Sequence, residues 1–151
     1  MALQLRPPSE AYQSITAWAE KNVIVPPGNA FPGPLRLVSY QRGILDAYAA
    51  HNVRRITMMM ASQIGKTQLV SIMVAYDICC QPQPLMLVNA TENDTKKFLR
   101  GKFKPFVDTC PELARRVATP RSGKGAFNTQ GVDFDGGHLT LAHAGLSLIH
   151  I

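Results

Sequence analysis

Apolar positions along the chain change period several times, and the changes mark out its elements. Behind Ser9, a fair N-cap, Ala11, Ile15 and Trp18 recur at helical spacing, which predicts a first helix through Glu20. From Val23 to Pro34 the chain is rich in Pro, Gly and Asn with few charges, and reads as an ordered wrapping loop or linker outside the core. Ser39 can cap a second helix, Tyr40 to Ala50, with Ile44, Leu45 and Tyr48 turned inward. The short apolar run Ile56-Thr57-Met58-Met59-Met60 predicts a buried strand, and the longer apolar segment Leu69 to Ile78 a helix buried on all sides. Gln81-Pro82-Gln83-Pro84 stops that helix, and Leu85-Met86-Leu87-Val88 reads as a second buried strand. Strand, helix and strand in this order close a right-handed parallel unit.

Thr91, with Asp94 three residues on, can cap the next helix, whose Phe98, Leu99 and Phe103 would face the sheet. Its other side carries Lys96, Lys97, Arg100, Lys102 and Lys104, either a solvated face or one turned to DNA. Pro105 is expected to end or kink that helix, and Pro111 suits the first turn of a shorter one. Arg121 to Gly131 is polar and reads as an exposed loop, while Gly136-Gly137 signals a turn before a third strand, Leu139 to Ala142. The chain contains no internal repeat or low-complexity tract.

The chemistry is concentrated between the first strand and the buried helix, in Ala61-Ser62-Gln63-Ile64-Gly65-Lys66-Thr67-Gln68. A loop that leaves a strand and opens a helix with Gly-Lys-Thr is a phosphate cradle: amides unpaired at the helix start point at an anion, and the helix dipole favours negative charge there. Lys66 would reach the β- and γ-phosphates of a nucleotide and the Thr67 hydroxyl would ligate Mg²⁺. The full pattern has a glycine where Met60 stands; Met60 then reads as the last residue of the strand, with Gly65 kept where backbone must approach phosphate. Gly-Lys-Thr alone also occurs at ordinary helix starts, and it is the flanking strand and apolar helix that favour a nucleotide site. Upstream, Tyr40 could stack on a base and the Gln41 amide could pair with the edge of adenine, or the two could simply form a helix N-terminal turn with a surface Gln. Arg54 and Arg55 are either solvated or in contact with phosphate or DNA.

Composition narrows the class. At 151 residues and 46% apolar the chain makes one domain at most, with a real core. A net charge of +6 and a pI near 9.5 suit polyanionic partners without bearing on fold. Cys79, Cys80 and Cys110 are odd in number and lack metal-ligand spacing, so they read as reduced core thiols of a cytosolic protein. His51, His138, His143 and His150 form no zinc-type arrangement with them, and no metal is assigned to a set of protein ligands. Pro7 and Pro8 argue against a signal peptide, and the longest apolar segment, interrupted by Asp77, is unsuited to crossing a bilayer. Leu146-Ser147-Leu148-Ile149-His150-Ile151 matches one reading frame of a transposon end used as a sequencing adaptor, so residues 146–151 are expected to be a non-native tail on an N-terminal fragment.

Taken in order, these features resemble the N-terminal part of the ATPase domain of the large terminase subunit of tailed bacteriophages, of the lambda-like type. The resemblance runs through Ala17-Trp18-Ala19-Glu20, the Pro/Gly-rich wrap, Tyr40-Gln41-Arg42, Ile44-Leu45-Asp46-Ala47, Arg54-Arg55 and Gln63-Ile64-Gly65-Lys66-Thr67. It continues through Leu85 to Val88, Ala90-Thr91, Pro105, Pro111 and Gly136-Gly137-His138-Leu139-Thr140-Leu141-Ala142. Terminases of this type often lack the first motif glycine, which suits Met60. The resemblance implies an α/β fold, a P-loop NTPase-type parallel sheet with flanking helices, here incomplete. Residues 1–35 would be the N-terminal helix and wrapping segment, and residues 36–145 the N-terminal part of the ATPase domain. It implies an ATPase that uses ATP and Mg²⁺ to drive double-stranded DNA into a procapsid in the cytoplasm of an infected bacterium. Its implied partners are the small terminase subunit, the portal and further copies of itself, with no membrane involved. A metal-dependent nuclease is implied only for a C-terminal part beyond this chain. A strand ending in paired acidic residues is also implied, but Val132-Asp133-Phe134-Asp135 is too short and polar to be it. The fragment is therefore expected to bind nucleotide weakly and hydrolyse it poorly by itself. A DNA or RNA helicase core shares the order of Gln and phosphate loop, and a non-catalytic nucleotide-binding module is a further alternative; a small-molecule kinase fits less well because no acceptor site is legible.

Overall fold

Ser14 caps the helix that carries Ile15 and Trp18. The computed structural model describes residues 14–117, 127–128 and 131–145, so Ser9 and Ala11 lie outside the described residues. Helix α1 spans Ile15–Asn22, and Ser14 Oγ accepts the Ala17 amide at 3.1 Å, satisfying one of the donors that a helix start leaves over. Ile15 and Trp18 are buried as their spacing predicts, and the Trp18 ring meets Tyr76 edge-on with centroids 5.6 Å apart.

The segment after α1 does more than wrap. Strands β1 (Ile24–Val25) and β2 (Gly33–Pro34) pair antiparallel, and Val23, Val25, Leu35 and Leu37 are buried in the core. The Pro/Gly-rich composition describes the turn between the two strands and hides the alternating apolar positions on either side of it. Helix α2 covers Ser39–Ala49, with Leu45 fully buried and Ile44 and Tyr48 packed against the core. Its cap is Val38, which offers no side-chain oxygen. Gln41 Oε1 instead reaches back to accept the Val38 amide at 3.1 Å, half of a capping box.

Helix α3, Lys66–Cys80, is the axis of the domain: Leu69 and every residue from Ser71 to Cys79 are buried. Such a helix is stable only when surrounded, and α1, α2 and a later helix, α6 below, pack on it. Cys79 and Cys110 are buried and Cys80 half-buried, all as free thiols, and burial pushes Cys79 up to about 12 and Cys80 to about 11. The sharpest feature within α3 is Asp77, 4% exposed, whose Oδ2 accepts from the Tyr48 hydroxyl at 2.5 Å. Burial raises the Asp77 pKa, and hydrogen bonds from Tyr48 and Gln83 offset this only in part. A carboxyl with a raised native pKa holds its proton more tightly folded than unfolded. Its contribution to stability is therefore present below the ordinary Asp value of about 4 and is lost as pH rises through the raised native value. Asp77→Asn keeps an acceptor for Tyr48 and removes the titration, so its urea-unfolding stability is expected to fall less than that of the wild type across that window. Identical pH slopes for the two proteins would contradict this.

The sheet departs from expectation in three ways. Strands β3 (Leu85–Asn89), β4 (Gly131–Phe134) and β5 (Gly137–His143) lie in the order β3-β5-β4, with β3 parallel and β4 antiparallel to β5. The sheet is thus mixed, where a parallel one was expected. First, Ile56–Met60 forms no strand, and Met60 ends none. Its burial alternates as a strand's would, with Ile56, Met58 and Met60 half-buried and Met59 97% exposed, but the run pairs with none of the described strands, and β3 stands at the edge of the sheet with β5 as its one neighbour. The parallel crossover therefore joins β3 to β5 and not residues 56–60 to β3. Second, the polar-looking Val132-Asp133-Phe134 is a strand, because Val132 and Phe134 point to the core and only Asp133 points outward, toward His138 at 2.6 Å. Gly136, at φ 93°, makes the tight turn into β5. Third, β3 is buried on one face only. Leu85 and Leu87 face inward beside Leu139 and Leu141, while Met86 and Val88 are 69% and 56% exposed on the face opposite.

Thr91 caps α4 (Glu92–Phe98) by accepting the Asp94 amide at 3.1 Å. The helix does not end at Pro105. It widens into a π-helical turn, Leu99–Phe103, with the Lys104 amide bonded to the Leu99 carbonyl, and resumes as α5, Lys104–Thr109. An α-helical Pro105 would press its ring on the Gly101 carbonyl, and the wider turn gives it room. Phe98 and Phe103 stack across the turn with centroids 5.8 Å apart. Helix α6, Pro111–Val117, follows as expected and packs against α3 and β4. The loop expected from Arg121 to Gly131 lies mostly outside the described residues; Phe127 bridges to Val132, and Gly131 belongs to β4.

Candidate functional site

The loop Ala61–Ile64 lies exposed at the N-terminus of α3. Gln63 adopts φ 61°, a left-handed conformation that costs a non-glycine residue about 1 kcal/mol. Gly65 follows at φ 89° as the helix N-cap, and no side chain caps the amides after it. The first intrahelical bond is donated by Leu69 to the Gly65 carbonyl at 2.9 Å, so the amides of Lys66, Thr67 and Gln68 open the helix without intrahelical partners. Their direction and the dipole of a fifteen-residue helix favour an anion at this end.

Lys66 turns back over the loop. Its ammonium donates to the Met60 and Ala61 carbonyls, both at 3.0 Å, and these two bonds leave one of its three donors over. Thr67 is exposed beside it, and its carbonyl accepts from Ser71 Oγ at 2.9 Å. The arrangement suits a polyphosphate: a cation and a set of helix-start amides that no side chain caps.

Tyr40 and Gln41, distant in sequence, come together with this loop. The Tyr40 hydroxyl donates to the Ile64 carbonyl at 3.0 Å. Gln41 is buried, and a Cβ placed on Gly65 would lie 3.1 Å from its Nε2. Gln41 is thus neither on the surface nor free at both ends of its amide, since its oxygen is committed to Val38. Arg54 and Arg55 are exposed and line a cavity together with Tyr48, Val53, Ile56, Met58 and Met73. Sequence reasoning missed the group that holds α2 in place. Glu20 Oε1 accepts from Arg42 at 2.5 Å and from the Leu37 amide at 3.0 Å, and Arg42 Nε also donates to the Leu37 carbonyl at 3.3 Å. A pair separated by 22 residues leaves no local signal; it shows only once α1 and α2 are packed together.

A sequence model described as the phage terminase large subunit gpA ATPase domain matches residues 29–147, which include Tyr40, Gln41 and the whole of the loop. The chain belongs to that family. Terminase large subunits of this family act as ATPases in viral genome packaging, and nucleotide use by this domain follows. No curated relative matches the chain. Helix α1 lies before the matched residues, yet Glu20 at its end braces the terminase helix α2. Among the described residues no helix is long and apolar enough to cross a membrane.

Proposed function

We propose that the chain binds MgATP at the loop Ala61–Gln68 and serves as the phosphate-binding half of a P-loop motor that moves double-stranded DNA into a procapsid in the host cytoplasm. One observation carries this: Lys66 is held over the loop beside uncapped helix amides, where charge on a triphosphate would lie. In phosphoryl transfer to water the chain's own contribution would be electrostatic. Lys66 and the amides would stabilise charge on the phosphoryl oxygens, and Thr67 would position Mg²⁺. The small terminase subunit, the portal and further copies of the chain are the partners proposed for the assembled motor. ATP hydrolysis by the complete large subunit, measured with and without duplex DNA, tests the reading: turnover that rises with DNA is expected, and turnover indifferent to DNA would reduce the chain to a nucleotide-binding module.

Tyr40 is proposed to position the loop through its hydroxyl. A lost hydrogen bond of this kind is worth about 0.5–1.5 kcal/mol, so Tyr40→Phe is expected to weaken ATP binding by up to roughly tenfold. If the ring only stacks on the base, Tyr40→Phe will bind as the wild type does and only Tyr40→Ala will be weakened; ATP titration calorimetry distinguishes the two.

A further inference from the structure

We propose that Lys97, Arg100 and Lys102, displayed together by the π-helical turn, contact the phosphate backbone of double-stranded DNA, an inference that rests on the motor reading above. From Lys96 to Lys104 the chain has no acidic residue. Lys96 is paired with Glu92 at 2.6 Å, and Lys104 with Asp108 at 3.0 Å while also lying over the Phe127 ring. Lys97, Arg100 and Lys102, between these framing pairs, are exposed and have no ion pair among the described residues.

The turn determines which side chains share that surface. In an unbroken α-helix the residue one turn beyond Phe98 is Lys102, which would be drawn toward the apolar stripe. The wider turn hands that place to Phe103, which stacks on Phe98, and leaves Arg100, Gly101 and Lys102 outside as consecutive exposed positions. Pro105 accounts for the widening but not for the composition of what it exposes. Like charges three positions apart on a helix, as Lys97 and Arg100 are, repel one another. A polyanion laid along them removes that repulsion and releases its counterions. Exposed, flexible cations on a convex helix hold backbone phosphates and not base edges, so the contact would be indifferent to sequence, as translocation along DNA requires.

The test uses the intact chain and a variant combining Lys97→Gln, Arg100→Gln and Lys102→Gln. Binding to two duplexes of unrelated sequence is followed by fluorescence anisotropy across a salt series. Three lost phosphate contacts should make the slope of log K against log salt shallower by about 2.7, with the same weakening for both duplexes. The thermal shift produced by MgATP should be unchanged, which separates failure here from failure of the nucleotide reading. An unchanged salt slope overturns the proposal, as does a slope that changes for only one of the two duplexes. If the wild type binds no duplex while MgATP still raises its unfolding temperature, the proposal fails and the nucleotide site stands.

Discussion

In the complete large subunit, Lys66→Ala is expected to lower ATP turnover by about 10²–10³-fold or more, the range seen when one preorganised donor to a developing charge is removed. The ammonium is fixed in place by two loop carbonyls, so little reorganisation is needed when charge builds on the phosphoryl oxygens. Alanine removes the charge and also frees the Met60 and Ala61 carbonyls, loosening the loop. Lys66 is exposed, so thermal unfolding without nucleotide should be nearly unaltered, and the loss should appear in phosphate release under both single and multiple turnover. Lys66→Arg keeps the charge but replaces a compact ammonium with a planar fork, and is expected to recover binding better than turnover. Undiminished hydrolysis by Lys66→Ala would remove Lys66 from the mechanism.

The second large effect concerns stability. Phe103 is fully buried and stacks on Phe98 across the π-helical turn. Phe103→Ala should cost about 3–5 kcal/mol, from lost apolar transfer and the cavity left behind. Against a total stability on the order of 5–15 kcal/mol this removes a large fraction of the folded state's margin. Urea unfolding is the measurement, with Phe103→Leu as a milder companion that keeps most of the volume. A cost below about 1 kcal/mol would mean that the turn does not pack as described.

These two residues differ in how far the amino-acid sequence announces them. Gly65-Lys66-Thr67 ahead of a segment apolar on every side is a local signal, and a loop that opens a buried helix with a lysine can be read from it directly. Periodicity places Phe103 inward, four residues beyond Leu99, but the π-helical widening that makes room for Pro105 and stacks Phe103 on Phe98 is not legible in the sequence. Tyr40 and Gln41 were tied to the nucleotide site by position in the chain; the contacts they make, to the Ile64 carbonyl and beside Gly65, are different from base recognition and required the fold.

What the sequence determined by itself is the set of helices and the loop chemistry: α2, α3, the capped start of α4 at Thr91, α6 at Pro111, and the lysine poised at the opening of α3. Helical hydrogen bonds close within one turn, so their caps and periodicity are written in neighbouring residues. Only the tertiary structure decided which apolar runs became strands, why Val132-Asp133-Phe134 paired with β5 while Ile56–Met60 did not, and how Glu20 and Arg42 brace α2 beside the loop that opens α3. Ladders and ion pairs take partners from anywhere in the chain, and competition among those partners is settled by packing and not by local pattern.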